Sequence, residues 1–163
     1  MLYIYRGATL RIYAYMAIFM ECKNKKECKR KSENWIKNQS KFCPVGEKEF
    51  ESFREKYEKG KAIIEFDRHF VKRSFERVVT QSNIIEAIKF GWVIERNKTM
   101  GQVSIVILAY VGKSYRPIHI VFNIVDDDKW IAVTTYSPSA HSWKWSKGYD
   151  QRICFCEHEE GCE

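Results

Sequence analysis

Four β-rich runs crowd the second half of the chain: WVIE (92–95), VSIVILAYV (103–111), PIHIVFNIV (117–125) and KWIAVTTYS (129–137). β-Branched and aromatic residues dominate them, and GKSYR and DDD supply turns between the last three. Runs joined by links this short pair with their sequence neighbours, so a four-stranded antiparallel meander is predicted. One face of such a sheet is apolar and has to be covered.

The cover precedes the sheet. In EKEFESFREKYEKG, Phe50, Phe53 and Tyr57 recur at helical spacing and Gly60 can cap the end. The charges of this helix are mixed in sign, so its polar face is predicted to meet solvent. KAIIEF (61–66) reads as a short strand, and DRHFVKRSFERV (67–78) as a second helix. Its apolar stripe is Phe66, Phe70 and Val78, widened by Phe75 and Val79. Asn83 with Glu86 forms a capping box for NIIEAIKF, which Gly91 closes. Helices followed by a sheet give an α+β class: helices packed on a four-stranded antiparallel sheet, with an N-terminal strand and helix extension.

That extension, residues 1–60, is basic and contains cysteine. LYIYR and LRIYAYMAIF read as two strands. CKNKKECKRK is a solvated loop or helix start, and SENWIKNQSKF a short helix that CPVG (43–46) ends. The α+β domain spans 61–150, and 151–163 is an acidic, Cys-rich tail. No stretch reaches the roughly 18 apolar residues of a membrane span. IYAYMAIFM follows two arginines but has no small-residue cleavage site after it, so a cytoplasmic protein is expected, with a secreted effector domain as the alternative.

The net charge is +7. Positions 1–60 carry fourteen Lys/Arg against eight Asp/Glu, positions 61–153 fourteen against nine, and the last ten residues four Glu and no Lys or Arg. A basic body rich in aromatics suits a polyanion such as RNA, although solubility alone explains the charge equally simply.

His69, Arg73 and Arg77 stand at i, i+4 and i+8 of the second helix and stack along one side of it. In PIHIVFNIV, Ile118, Ile120, Phe122 and Ile124 share the core face, leaving His119, Val121 and Asn123 on the other. Thr134 and Tyr136 share a face of the last strand, so His119, Thr134 and Tyr136 can converge there with the helix stripe. Such a group suits RNA cleavage, in which the substrate supplies the 2′-OH nucleophile. The protein then needs a base, an acid and cations for the phosphorane charge, and no cofactor. Histidine titrates near neutrality and arginine matches phosphate oxygens. His69 is read as base or acid, His119 as the second proton-transfer group, and Thr134 and Tyr136 as support. Arg73 and Arg77 are phosphate clamps. Each has a plainer reading: helix bridging for His69, ion pairing with Glu76 for the arginines, cross-strand filling for His119. His141, Trp143, Lys144 and Trp145 read as an aromatic flap on the sheet, with base stacking as the alternative. DDD is a solvated hairpin turn. No Gly-rich phosphate loop or G-x-S-x-G elbow occurs.

The cysteines form two groups, Cys22, Cys28, Cys43 and Cys154, Cys156, Cys162. They allow disulfides, a metal site or free thiols. A structural zinc needs four ligands, for which Cys22, Cys28 and Cys43 supply three. Cys154 is the expected fourth, with Cys156 or His158 as alternatives, provided that the chain ends meet.

Positions 61 to about 145 resemble a family of small bacterial domains related to RelE-type toxins. The resemblance rests on Phe66 to His69 with Arg73 and Arg77, on Ile84 to Gly91, on Arg116 to Val121 with His119, and on Thr134, Tyr136 and Pro138. The broader relatives are the barnase, EndoU, colicin and RelE ribonucleases, which cut RNA without metal. The resemblance implies a toxin-like endoribonuclease with His69, Arg73, Arg77, His119, Thr134 and Tyr136 at its site, and a partner that is an antitoxin or immunity protein; Arg116 and Lys144 are read as further RNA contacts. The rival expectations are a nucleic-acid-binding module without catalysis and a small zinc- or thiol-stapled interaction protein.

Overall fold

The computed structural model describes residues 22–156. The two strands expected within 2–20, together with His158 and Cys162, lie outside the described residues. The described elements are α1 (Lys25–Glu58), β1 (Ile63–Phe66), α2 (Arg68–Glu76), α3 (Gln81–Phe90), β2 (Trp92–Thr99), β3 (Gln102–Val111), β4 (Arg116–Ile124), β5 (Lys129–Tyr136) and a 3-10 segment (Pro138–Lys144).

The class is α+β, as expected, but the sheet has five strands in the order β1-β5-β4-β3-β2. Strands β2 to β5 are the antiparallel meander. The fifth, β1, lies parallel to β5, with Ile63 opposite Lys129 and Phe66 opposite Ala132. A parallel neighbour needs a long crossover connection, and α2, α3 and strands β2 to β4 lie between β1 and its partner, so no short-range signal announces the pairing.

Helix α1 corrects the expectation of a short helix ended at 43–46. It runs 34 residues, with Asn24 accepting from the Glu27 amide at its start and Pro44 inside it. Proline removes one helical hydrogen bond and crowds the preceding turn. The helix continues because it is anchored on both sides of that point: Gln39, Gly46, Phe50 and Phe53 are all buried. Gly46 permits close approach to β2, since a Cβ there would stand 3.1 Å from Val93 Cγ1 and 3.2 Å from Arg96 Cδ.

The polar face of α1 is not simply solvated, contrary to expectation. Glu47 accepts from the Val93 amide at 2.7 Å and Gln39 from the Arg96 amide at 2.9 Å, so α1 occupies the outer hydrogen-bonding edge of β2. Glu49 grips Arg96 through two bonds at 2.8 and 2.7 Å. Arg54 donates to the carbonyls of Ile88 and Gly91 and so caps α3.

Thr80, not Asn83, caps α3: Thr80 and Asn83 form the reciprocal box, and Glu86 instead accepts from the Gly112 amide at 2.9 Å. In α2, Phe70 faces the core and Val79 beyond it is buried, whereas Phe66, Phe75 and Val78 are exposed. The helix stops at Glu76 and Val78 takes φ 52°, which breaks the periodicity behind the expected stripe.

The main core lies between the helices and one sheet face. Phe50 and Phe53 of α1, Phe70, Ile84 and Ile88 meet Ile105, Ile107, Ile118, Ile120, Phe122 and Trp130. The other face carries Ile94, Val106 and Leu108, covered by Trp145 with Tyr110, Val121, Tyr136 and Tyr149 beside it. The segment after β5 is therefore the flap predicted from its aromatics. Among the described residues no helix is long and apolar enough to cross a membrane.

Candidate functional site

Helix α2, the end of β5 and the flap enclose a cavity of about 450 Å3. His69, Arg73 and Arg77 reach it from α2 and its C-cap, Thr134 and Tyr136 from β5, and Lys144 from the flap. Six of the eight residues expected from sequence to carry catalysis or RNA contacts thus share one cavity. Ser137, Pro138, Ala140, His141, Trp145 and Arg152 complete its lining. Four cationic side chains converge there, and no carboxylate is among the lining residues.

Local folding explains the arrangement. Asp67 caps α2 by accepting from the His69 amide at 2.7 Å, which starts the helix so that His69 opens its first turn. One turn later the Nε of Arg73 donates to His69 Nε2 at 3.5 Å, and its Nη1 to Glu76 at 3.0 Å. The ion pair is the plainer reading offered above for Arg73, and it coexists with a place in the cavity. Arg77 is the C-cap rather than a helical residue, yet its Nη1 donates to the Thr135 carbonyl at 2.7 Å and keeps the guanidinium beside β5.

Tyr136 is largely enclosed, and burial pushes its hydroxyl pKa well above the usual phenol range, so it remains a hydrogen-bond donor. Thr134 lines the cavity, while Thr135 points into the core and donates to the His119 carbonyl at 3.0 Å.

Two expected members lie elsewhere. His119 is fully buried behind the cavity wall. Its ring meets Tyr136 and Trp145 edge-on, with centroids 5.0 and 4.5 Å away. Its Nε2 lies 2.8 Å from the Tyr149 carbonyl, which makes Nε2 the protonated nitrogen of a neutral ring. Burial lowers its pKa to about 4. Pleat alternation put His119 on the right face of the sheet, but the flap seals that part of the face. Arg116 donates to the carbonyls of Arg77 and Val78 at 3.1 and 2.7 Å. It secures the turn that presents Arg77 and does not line the cavity.

Sequence reading did not single out Arg152, and it took His141 only as part of the flap or a base-stacking group, not as a cavity residue beside His69. They belong to the flap and to the strand-like return after it, whose backbone pairs at Trp145 and Arg152. Only their aromatic, basic context hinted at a role.

Two slightly larger hollows carry less chemistry. One lies at the Asp126–Asp128 hairpin, where Lys56 is bonded to Asp128 at 2.6 Å and Lys129 to Glu65 at 2.8 Å. The other is an apolar groove along α2.

The chain ends do meet. The Sγ atoms of Cys22, Cys28, Cys154 and Cys156 all lie within 4.8 Å of one another, and the group can hold a metal ion. Cys28 is 3.6 Å from Cys154 and 3.5 Å from Cys156, and Cys22 is 3.8 Å from Cys156. Four thiolates placed tetrahedrally about 2.3 Å from a zinc ion would stand about 3.8 Å apart, so the donor set fits. The Phe155 amide donates to Cys28 Sγ at 3.2 Å, an outer-shell bond of the kind that orients a ligating thiolate. Cys43 is not in the group. It sits farther along α1, its Sγ donates to Gln39 Oε1 at 3.5 Å, and burial pushes its thiol up to about 11. Cys156 takes the expected place. Neighbouring C-x-C thiols converge only when the backbone between them curls, which spacing alone does not reveal.

The fold and site therefore define an α+β protein with a cationic, histidine-containing cavity and a four-cysteine cluster. Residues 66–137 match the family model described as a domain of unknown function, DUF4258. The match runs from the end of β1 to the residue after β5, taking in His69, Arg73, Arg77, Thr134 and Tyr136 but not α1, the flap or the cysteines. No curated protein and no solved structure matches the chain.

Proposed function

We propose that the protein binds RNA in the α2–β5 cavity and cleaves it as a toxin-like endoribonuclease without a catalytic metal. The observation that carries this reading is the convergence of His69, Arg73, Arg77, Tyr136, His141, Lys144 and Arg152 on one open cavity. The cations hold the scissile phosphate and take up charge as the phosphorane forms. One histidine removes the 2′-OH proton as O2′ bonds to phosphorus. The other gives a proton to the 5′-oxygen as its bond to phosphorus breaks, leaving a 2′,3′-cyclic phosphate. His69 is one of the pair. His119 is too deeply buried for the second role, which passes to His141. Tyr136 and Thr134 hydrogen-bond phosphate oxygens.

The test is incubation of the purified protein with end-labelled single-stranded RNA. Cyclic-phosphate ends should appear, 2′-O-methyl RNA should stay intact, and His69→Ala should slow cleavage by about 10²–10⁴-fold. RNA left whole by the wild type at every pH between 5 and 9 would remove the enzyme reading. Binding that falls with Arg73→Ala, with no cleavage by any form, would make the cavity a nucleic-acid-binding site. An active ribonuclease would also call for an antitoxin or immunity protein that covers the cavity. We propose too that the metal at the four cysteines is a structural zinc, favoured by an all-sulfur donor set.

A further inference from the structure

The cysteine cluster and the cavity are joined by a short run of backbone. Lys144, Trp145 and Arg152 form one wall of the cavity. Trp145 pairs with Arg152, and the amides of Ile153 and Cys154 donate to the Lys144 carbonyl at 2.9 and 3.2 Å. The Ser146 amide donates to the Gln151 carbonyl at 2.8 Å, closing a small two-stranded loop. Arg152 Nε donates to the Cys154 carbonyl at 3.4 Å, and its guanidinium lies 4.6 Å from the Phe155 ring centroid. Cys154 and Cys156, two and four residues after Arg152, meet Cys22 and Cys28 from the start of α1.

An isolated two-stranded loop is marginal in water. This one rests on the sheet through Trp145 and Tyr149, and just past its far end Cys154 and Cys156 join the sulfur cluster at the start of α1. We infer that the four-thiolate centre, when it holds its metal, is the clamp that fixes the cavity wall carrying Lys144, Trp145 and Arg152. The inference rests on the anion-site reading above only for its functional consequence. Metal binding releases the thiol protons and ties the 154–156 segment to α1. Its loss frees the loop at one end, and two cations then hold no set position. Anion binding in the cavity thereby becomes dependent on metal, even though the proposed chemistry uses none.

The experiment uses the full chain, loaded with zinc or cobalt and then stripped by a chelator. Cobalt should bind one per chain with thiolate-to-metal charge-transfer absorption, and Cys156→Ser should weaken that band while Cys43→Ser leaves it unchanged. Amide hydrogen exchange at Ser146, Ile153 and Cys154 should quicken by at least about tenfold on stripping, with Ile107 and Ile120 in the sheet unmoved. Affinity for a short single-stranded RNA, read by fluorescence anisotropy, should fall by about tenfold, the weight of one or two charge-assisted contacts. Failure to take up metal, or exchange in the loop that ignores stripping, overturns the clamp. Exchange that quickens equally through β3 and β4 overturns it as well, because the metal would then support the whole fold. A loaded protein that binds no RNA, but whose loop still loosens on stripping, sinks the anion-site reading and leaves the clamp standing.

Discussion

Arg77 Nη1 lies 2.7 Å from the main-chain carbonyl of Thr135, joining the end of α2 to β5 at the rim of the cavity. Arg73, one turn earlier, instead pairs with exposed Glu76 at 3.0 Å. The two arginines therefore divide structural and functional weight differently. Arg77→Ala should destabilise the fold by about 1–3 kcal/mol, because a partly buried carbonyl loses its charged donor. Arg73→Ala should cost less than about 0.5 kcal/mol. Urea unfolding measures both. Equal losses would show that the Arg77 bond is not made in solution, whereas RNA affinity should fall in either variant.

His119 makes stability depend on pH. Its folded pKa of about 4 lies below the ordinary 6.5, so the unfolded chain binds the extra proton first. The stability contributed by the neutral buried ring is complete above pH 6.5 and is lost as pH falls toward 4. The loss amounts to at most about 3 kcal/mol at the lower end. His119→Gln should flatten stability against pH in that window, whatever its effect at pH 7. A wild-type protein equally stable at pH 7 and pH 4.5 would contradict the burial of the ring.

Gly91 ends α3 where its amide donates to the Ala87 carbonyl at 2.8 Å and its own carbonyl accepts from Arg54 at 2.6 Å. A Cβ there would run into the Ala87 carbonyl oxygen and stand 3.1 Å from the Leu108 carbonyl oxygen. Both obstacles are backbone and cannot swing away. Gly91→Ala should lower stability by about 1–3 kcal/mol, and a variant melting with the wild type would show that the α3–β2 corner yields easily.

Pro44 is exposed and inside α1. Pro44→Ala restores a helical hydrogen bond and removes crowding against the preceding turn, so stability should rise by about 1–3 kcal/mol. A drop in thermal midpoint would mean that the ring serves a purpose in shaping the helix.

Much of the site was legible because it depends on local periodicity. The i, i+4, i+8 spacing brought His69, Arg73 and Arg77 to one side, even with Arg77 just past the helix end. Pleat alternation placed Thr134 and Tyr136 on the face that the flap borders, and Ile118, Ile120 and Phe122 in the core. The same rule put His119 on that face but says nothing of what lies over a residue, and the flap buries its ring there. Arg116 looked like a phosphate ligand because a guanidinium suits phosphate oxygens and helix-end carbonyls alike. The Pro-Gly pair at 44–46 looked like a stop because the buried residues that carry α1 past it, Gln39 and Phe50, act through β2 and the core.

Residue chemistry and spacing alone determined the antiparallel meander, the apolar faces of its strands and the one-sided histidine–arginine row, since each arises within a few residues of chain. Tertiary structure decided the parallel pairing of β1, the exchange of Cys43 for Cys156 and the presence of His141 and Arg152 in the cavity. These depend on contacts between segments far apart in sequence, where many arrangements satisfy the same local preferences and only the packing of the whole chain selects one.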